Sequence, residues 1–172
     1  SLFVSEKALG PDHHIVATHL GNLALLYHAQ GRYVDAKPLF KRSLVIREKV
    51  LGPDHREVAR GLNDLALLYH AQARYADAER LFKRALLSRE KVLGPDHPDV
   101  AISLNNLGLL YIAQGRYADA EPLYKRSLVI IEKTLGPDHR EFASSLSSLA
   151  TLYHVQGRYT DAEPLFKRSL FV

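Results

Sequence analysis

Cysteine is absent from the 172 residues. That removes disulfides, thiolate chemistry and cysteine zinc sites, and leaves the compartment open. No apolar run approaches the roughly 18 residues a membrane span requires, so no membrane partner is expected. The chain opens on Ser rather than Met and has no signal-peptide pattern, so it reads as an excised or processed segment. Catalytic signatures are missing too. There is no Gly-rich phosphate loop, no Gly-x-Ser-x-Gly elbow and no His-Glu-x-x-His, so neither catalysis nor a cofactor is expected. Charge is not concentrated in one sign: 23 Lys and Arg stand against 19 Asp and Glu, a net charge of +4. This favours solubility and falls short of a nucleic-acid footprint.

What the chain does have is repetition. Leu-Gly-Pro-Asp-His occurs at Leu9–His13, Leu51–His55, Leu93–His97 and Leu135–His139, 42 residues apart each time. Ala-Gln-Gly-Arg-Tyr at Ala29–Tyr33 returns at Ala113–Tyr117, with near copies at Ala71–Tyr75 and Val155–Tyr159. A fixed period of this size predicts a solenoid, in which each unit buries its apolar face only against its neighbours. The expected organisation is one repeat array over 1–172. Residues 1–9 end a preceding second helix, 10–51, 52–93 and 94–135 are repeats, and 136–172 is a fourth repeat truncated in its second helix.

Each unit reads as two helices, and the third shows this best. Gly94-Pro95 breaks the chain, Asp96 is the expected N-cap, and Asp99 completes a variant of the capping box. Asp54/Glu57 and Asp138/Glu141 repeat this pattern. Ile15 replaces the acid in the first unit, whose helix should start less firmly. The first helix runs to about Gln114, with Ala101, Leu104, Leu107, Gly108 and Tyr111 on one face. Gly115 closes it in a left-handed C-cap, and Ala73 at the same place should strain its turn. The second helix covers about Tyr117 to Leu135 and buries Ala120, Tyr124 and Leu128. Pro38, Pro122 and Pro164 lie early enough in the second helices to be tolerated. The histidines of the turns, His13, His55, His97 and His139, suit a role in starting helices.

Leu104, Leu107, Gly108, Tyr111, Gly115, Tyr117, Ala120, Tyr124 and Leu128 together resemble the tetratricopeptide repeat. The 42-residue length and the phrase Leu-Gly-Pro-Asp-His-Pro-Asp-Val-Ala…Leu-Asn-Asn-Leu resemble its kinesin light chain type, over the whole chain. The resemblance implies an all-α fold, a right-handed superhelical solenoid of antiparallel helix pairs whose first helices line a concave groove. It further implies a non-enzymatic scaffold whose partners are proteins or peptides. Its ligand-facing positions fall on Thr18, Gly21, Leu25 and His28, then on Arg60, Asn63, Leu67 and His70. In the third and fourth units they are Ile102, Asn105, Leu109 and Ile112, and Ser144, Ser147, Thr151 and His154. Asn63 and Asn105 take the family's place for pairing with a peptide backbone, where an amide offers both donor and acceptor. Gly21 and Ser147 depart from it, which weakens a clamp in both outer units.

Three other readings compete. Leu2, Phe3 and Val4 at one end, and Leu165, Phe166, Leu170 and Phe171 at the other, would lack part of their packing. Ser1–Val4 and Ser169–Val172 are also the same tetrapeptide, which hints at a 168-residue superrepeat. Copies joined end to end, covalently or not, would then form a filament. Lys41-Arg42, Lys83-Arg84, Lys125-Arg126 and Lys167-Arg168 make a basic row that could follow phosphates, but interspersed acids and the lack of exposed stacking aromatics favour a solvated face over nucleic acid. His28, His70 and His154 share one repeat position. Helices stand roughly 8–10 Å apart, so these three cannot share a zinc ion, and no metal is expected.

Overall fold

The computed structural model describes the backbone of residues 2–171 and the side chains of 6–171. Among the described residues all regular structure is helical. The helices are α1 (Leu2–Leu9), α2 (His14–Ala29), α3 (Tyr33–Leu51), α4 (Arg56–Ala71), α5 (Tyr75–Leu93), α6 (Pro98–Ala113), α7 (Tyr117–Leu135), α8 (Arg140–Val155) and α9 (Tyr159–Ser169). They form two compact units, 1–92 and 93–172.

The caps depart from expectation in one respect. Histidine, not aspartate, caps each first helix. The Nδ1 atoms of His13, His55, His97 and His139 accept from the backbone N–H of Ile15, Glu57, Asp99 and Glu141 at 3.1–3.3 Å. Each bond spans two residues and satisfies one of the helix's orphan donors. α2 therefore keeps its cap although Ile15 is not acidic. The neighbouring aspartates turn to the far end of the second helix instead. Lys49 donates to Asp12 at 2.5 Å and Lys133 to Asp96 at 2.6 Å, and Lys91 bonds Asp54 likewise. These ammonium groups hold the Asp12 and Asp96 carboxyls below their ordinary range. The pairs are exposed, so they fix geometry more than they add stability.

In unit 1, α2 and α3 run antiparallel and join Val16, Ala17 and Leu20 to Ile46, with Leu39 alongside. The helices come close enough for the Ser43 hydroxyl to donate to the Ala17 carbonyl at 2.6 Å. α1 packs on α2, and α4 on α3. Unit 2 repeats the arrangement: Ser127 donates to the Ala101 carbonyl at 3.2 Å, α8 packs on α7 and α9 on α8. Ala101, Leu104, Leu107, Gly108 and Tyr111 are buried as expected, and so are Ala120 and Tyr124. Leu128 is only half-buried, because Ile130 and Ile131 carry the inward face at that level.

The turn inside each pair requires a left-handed residue. Gly31, Gly115 and Gly157 have φ of 71–74°, and Ala73 takes the same conformation at φ 55°. Nothing lies within 4 Å of a Cβ built on Gly115, so the strain at Ala73 is a backbone effect alone. A left-handed non-glycine residue costs roughly 1–2 kcal/mol, partly offset by the greater freedom of glycine in the unfolded chain. Ala73→Gly should raise the urea-denaturation stability by about 0.5–1 kcal/mol, and Gly115→Ala should lower it by a similar amount. A neutral or destabilising Ala73→Gly would contradict this account.

Candidate functional site

The expected ligand-facing positions occupy the first helices, and the two units present them differently. In unit 1, Arg60 is exposed, Leu67 and His70 are half-buried, and Asn63 is buried. On α2, Thr18 and Leu25 are exposed, Gly21 is buried and His28 is half-buried. The Nε2 atoms of His28 and His70 are enclosed without a hydrogen-bond partner, and burial lowers the His70 pKa below 6.5.

Behind them stands a residue that the sequence reading overlooked. Arg47 of α3 is only 7% exposed, and its guanidinium lies between α2 and α4. A Cβ on Gly21 would sit 3.4 Å from its Nη2, and one on Gly61 would sit 3.2 Å from its Nη1. Its hydrogen bond is a long one, Nη1–H to the Glu57 carbonyl at 3.4 Å. Burial lowers its pKa, opposed by Glu57 and Asp64. Burial likewise raises the Asp64 carboxyl, opposed by Arg60, Arg47 and Arg89. The sequence did hold a signal: the same position is the buried Arg89 one period later and the buried Ile131 two periods later. A charged residue at an apolar position needs a reason.

In unit 2 the first helices α6 and α8 flank a trough with Tyr124 of α7 at its floor. It consists of two adjoining hollows of about 280 and about 300 Å³ that share Leu109, Tyr124, Ser144 and Ser148. One continues to Ile102, Asn105, Asn106 and Glu141, the other to Ile112, Ser147 and Thr151. The structure thus brings Ile102, Asn105, Leu109, Ile112, Ser144, Ser147 and Thr151 together. It leaves out His154, which faces a separate hollow beside α9. The Oδ1 of Asn105 is enclosed and has no hydrogen-bond partner. The hydroxyls of α8 are turned inward: Ser148 donates to the Ser144 carbonyl at 3.0 Å and Thr151 to the Ser147 carbonyl at 2.7 Å.

The hollow beside α9, about 310 Å³, is lined by His154, Tyr159, Ala162, Glu163, Phe166, Lys167 and Leu170. Leu165 is half-buried, whereas Leu170 and Phe171 are 81% and 89% exposed. Leu2, Phe3 and Val4, the other half of the expected end contact, lie outside the described side chains. The basic row is largely matched by acids. Arg42, Arg84 and Arg168 pair with Glu6, Glu48 and Glu132 at 2.6–3.0 Å. Lys83, Lys125 and Lys167 pair with Glu79, Glu121 and Glu163 at 2.6–2.7 Å.

A family model described as tetratricopeptide repeat matches residues 1–44, 16–86, 65–128 and 104–170. No curated protein matches the sequence. Among solved structures, BtubC (BKLC) from P. vanneervenii is 25% identical with a TM-score of 0.81, covering 92% of this chain. The chain in turn spans 63% of BtubC, less than two thirds of its length. A protein assigned as a kinesin light chain in Podosopora anserina, with nearly identical TPR-like repeats, is 26% identical over 98% of this chain and 79% of its own. Its TM-score is 0.83. Aspartyl phosphate phosphatase F from Bacillus subtilis has a TM-score of 0.79 over 91% of this chain and 40% of its own. At 16% identity, that likeness concerns the fold alone.

Proposed function

This chain belongs to the tetratricopeptide repeat family, whose members are generally non-enzymatic scaffolds for protein partners, and from that we propose that it holds extended peptide segments of other proteins against its first helices. It does so without catalysis or a cofactor of its own. The observation that carries this reading is the trough of unit 2 with the enclosed, unpartnered Asn105 Oδ1. Leaving such a group unsatisfied costs roughly 1–3 kcal/mol, which a peptide N–H entering the trough would relieve. The unit 1 face supports the same reading with different chemistry. Arg47, buried with only a long bond to a carbonyl and next to Arg60, suits a carboxylate of the bound segment.

A peptide library selected on the 172-residue chain tests it. Asn63→Ala with Asn105→Ala should weaken the selected peptides more than about tenfold, since each net hydrogen bond contributes about 0.5–1.5 kcal/mol and stranded partners add to the loss. Equal binding by the double variant, or no binder for the parent, would remove the peptide reading.

Self-association is the second reading, and the exposed apolar side chains of α9 and of Leu170 and Phe171 after it favour it. α3 and α7, which occupy the same place in their repeats, are each covered by a following first helix. A second copy, which would have to bring Leu2, Phe3 and Val4 to this face, is the occupant it implies. Association that rises with concentration in sedimentation, and is lost on Leu170→Asp with Phe171→Asp, is the expected result. A parent chain that stays monomeric at high concentration rules it out.

A further inference from the structure

One repeat differs from its siblings at two positions that touch. The aromatic residue of the second helix is Phe40, Phe82 and Phe166 in three repeats and Tyr124 in the other. The small residue facing it on the first helix is Ala24, Ala66 and Ala150, and only beside Tyr124 is it glycine, Gly108. The two changes belong together. A Cβ on Gly108 would stand 2.9 Å from Cζ of Tyr124, the carbon that bears the hydroxyl, and 3.0–3.2 Å from the flanking ring carbons. Removing that methyl gives the ring room to lie against α6 with its hydroxyl attached.

The hydroxyl is then in an unusual position. Tyr124 is 3% exposed and lines both hollows of the unit 2 trough. Among the described residues its O–H has no hydrogen-bond partner. Burial pushes its pKa up to about 12, so it remains a neutral donor at physiological pH. Asn105, lining the same hollow, supplies the enclosed acceptor Oδ1. A buried tyrosine hydroxyl normally finds a partner, and an enclosed amide oxygen does too. An enclosed, unpaired acceptor and a tyrosine hydroxyl that opens on the same trough without a protein partner point to a ligand that satisfies both.

From this we infer that Tyr124 and Asn105 form a specificity notch for the side-chain carboxamide of a glutamine or asparagine in the bound peptide. This rests on the peptide reading above and names the residue that the trough selects. A carboxamide accepts from the Tyr124 O–H and donates to the Asn105 Oδ1, and if the Asn105 amide turns over, the carboxamide still answers it. The other side chains fare worse. An aliphatic side chain would bury both polar groups without partners. A carboxylate accepts but cannot donate to Oδ1, and no Lys, Arg or His lines the trough to offset its desolvation. An ammonium could use the acceptors but would surrender its hydration, and Glu141 at the rim already stands 3.3 Å from Arg140.

The test uses random 12-residue peptides displayed and selected on the full chain and on its Tyr124→Phe variant. Phenylalanine is what the sibling repeats carry, so the variant should keep the fold, which a denaturation curve checks. Parent binders should be enriched in Gln or Asn at one position, and Tyr124→Phe binders should lose that preference while keeping the others. By calorimetry the best Gln peptide should bind Tyr124→Phe about three- to tenfold more weakly, and its Gln→Met analogue should bind both proteins alike. Enrichment of Glu, Lys or an aliphatic residue at that position would overturn the notch. So would an equal loss for both peptides, or a Gln preference indifferent to Tyr124. Each of these would leave the peptide reading standing. Failure to select any peptide on the parent would instead refute that reading, and the notch with it.

Discussion

The close approach of paired helices is the constraint from which the rest follows. A pair can close to where a serine hydroxyl of one helix reaches the backbone carbonyl of the other, Ser43 to Ala17 and Ser127 to Ala101, only if the side chains between them are small. Ala17, Ala24, Ala36, Ala101 and Ala120 are accordingly fully buried. The larger residues Val16, Leu20, Val100 and Leu104 fill the space beside these contacts, and each fully buried one contributes roughly 1.5–3 kcal/mol. A helix pair so closed has an apolar face left over. In each unit the neighbouring helix takes it, α4 on α3 and α8 on α7.

The candidate site is a local variation on the same packing. Exchanging Ala and Phe for Gly108 and Tyr124 keeps the crossing tight and changes what reaches the trough floor: a hydroxyl in place of a ring edge. In unit 1 the corresponding variation is ionic. Gly21 and Gly61 leave space for a guanidinium, and Arg47 fills it. Small residues at the contacts thus decide both how the helices pack and what each first-helix face offers a partner. The second helices put their charges elsewhere, into pairs such as Arg84–Glu48 and Lys125–Glu121 that leave less free positive charge for a nucleic acid.

Much of this was legible in the sequence because the period states it four times over. The second helix expected from about Tyr117 to Leu135 has those bounds, since Gly115 and Gly136-Pro137 punctuate it on both sides. Ala73 stood out as the one alanine in a glycine column, and it has the one positive φ among described non-glycine residues. The caps were half legible. Asp96 and His97 are adjacent, and spacing alone does not reveal that the imidazole reaches the N–H two residues on while the carboxylate is drawn to Lys133. Arg47 was not singled out, and Tyr124 was read only as a buried residue of its own helix. Lining up the repeats marks Tyr124 with Gly108 against three Phe–Ala pairs, and sets Arg47 and Arg89 against Ile131. The peptide-facing positions came from family resemblance, and no local pattern singles them out.

Mapping a selected peptide onto the chain by nuclear magnetic resonance tests the central claim most directly, because the competing surfaces carry different residues. The account predicts that backbone and side-chain amide signals move along α6 and α8, at Ile102, Asn105, Leu109 and Ser148. Signals of Lys125 and Arg126 on the second helix, and of Leu170 and Phe171 beyond α9, should stay in place. Shifts centred on the second-helix charges or on the α9 hollow, with Asn105 and its neighbours unmoved, would contradict it.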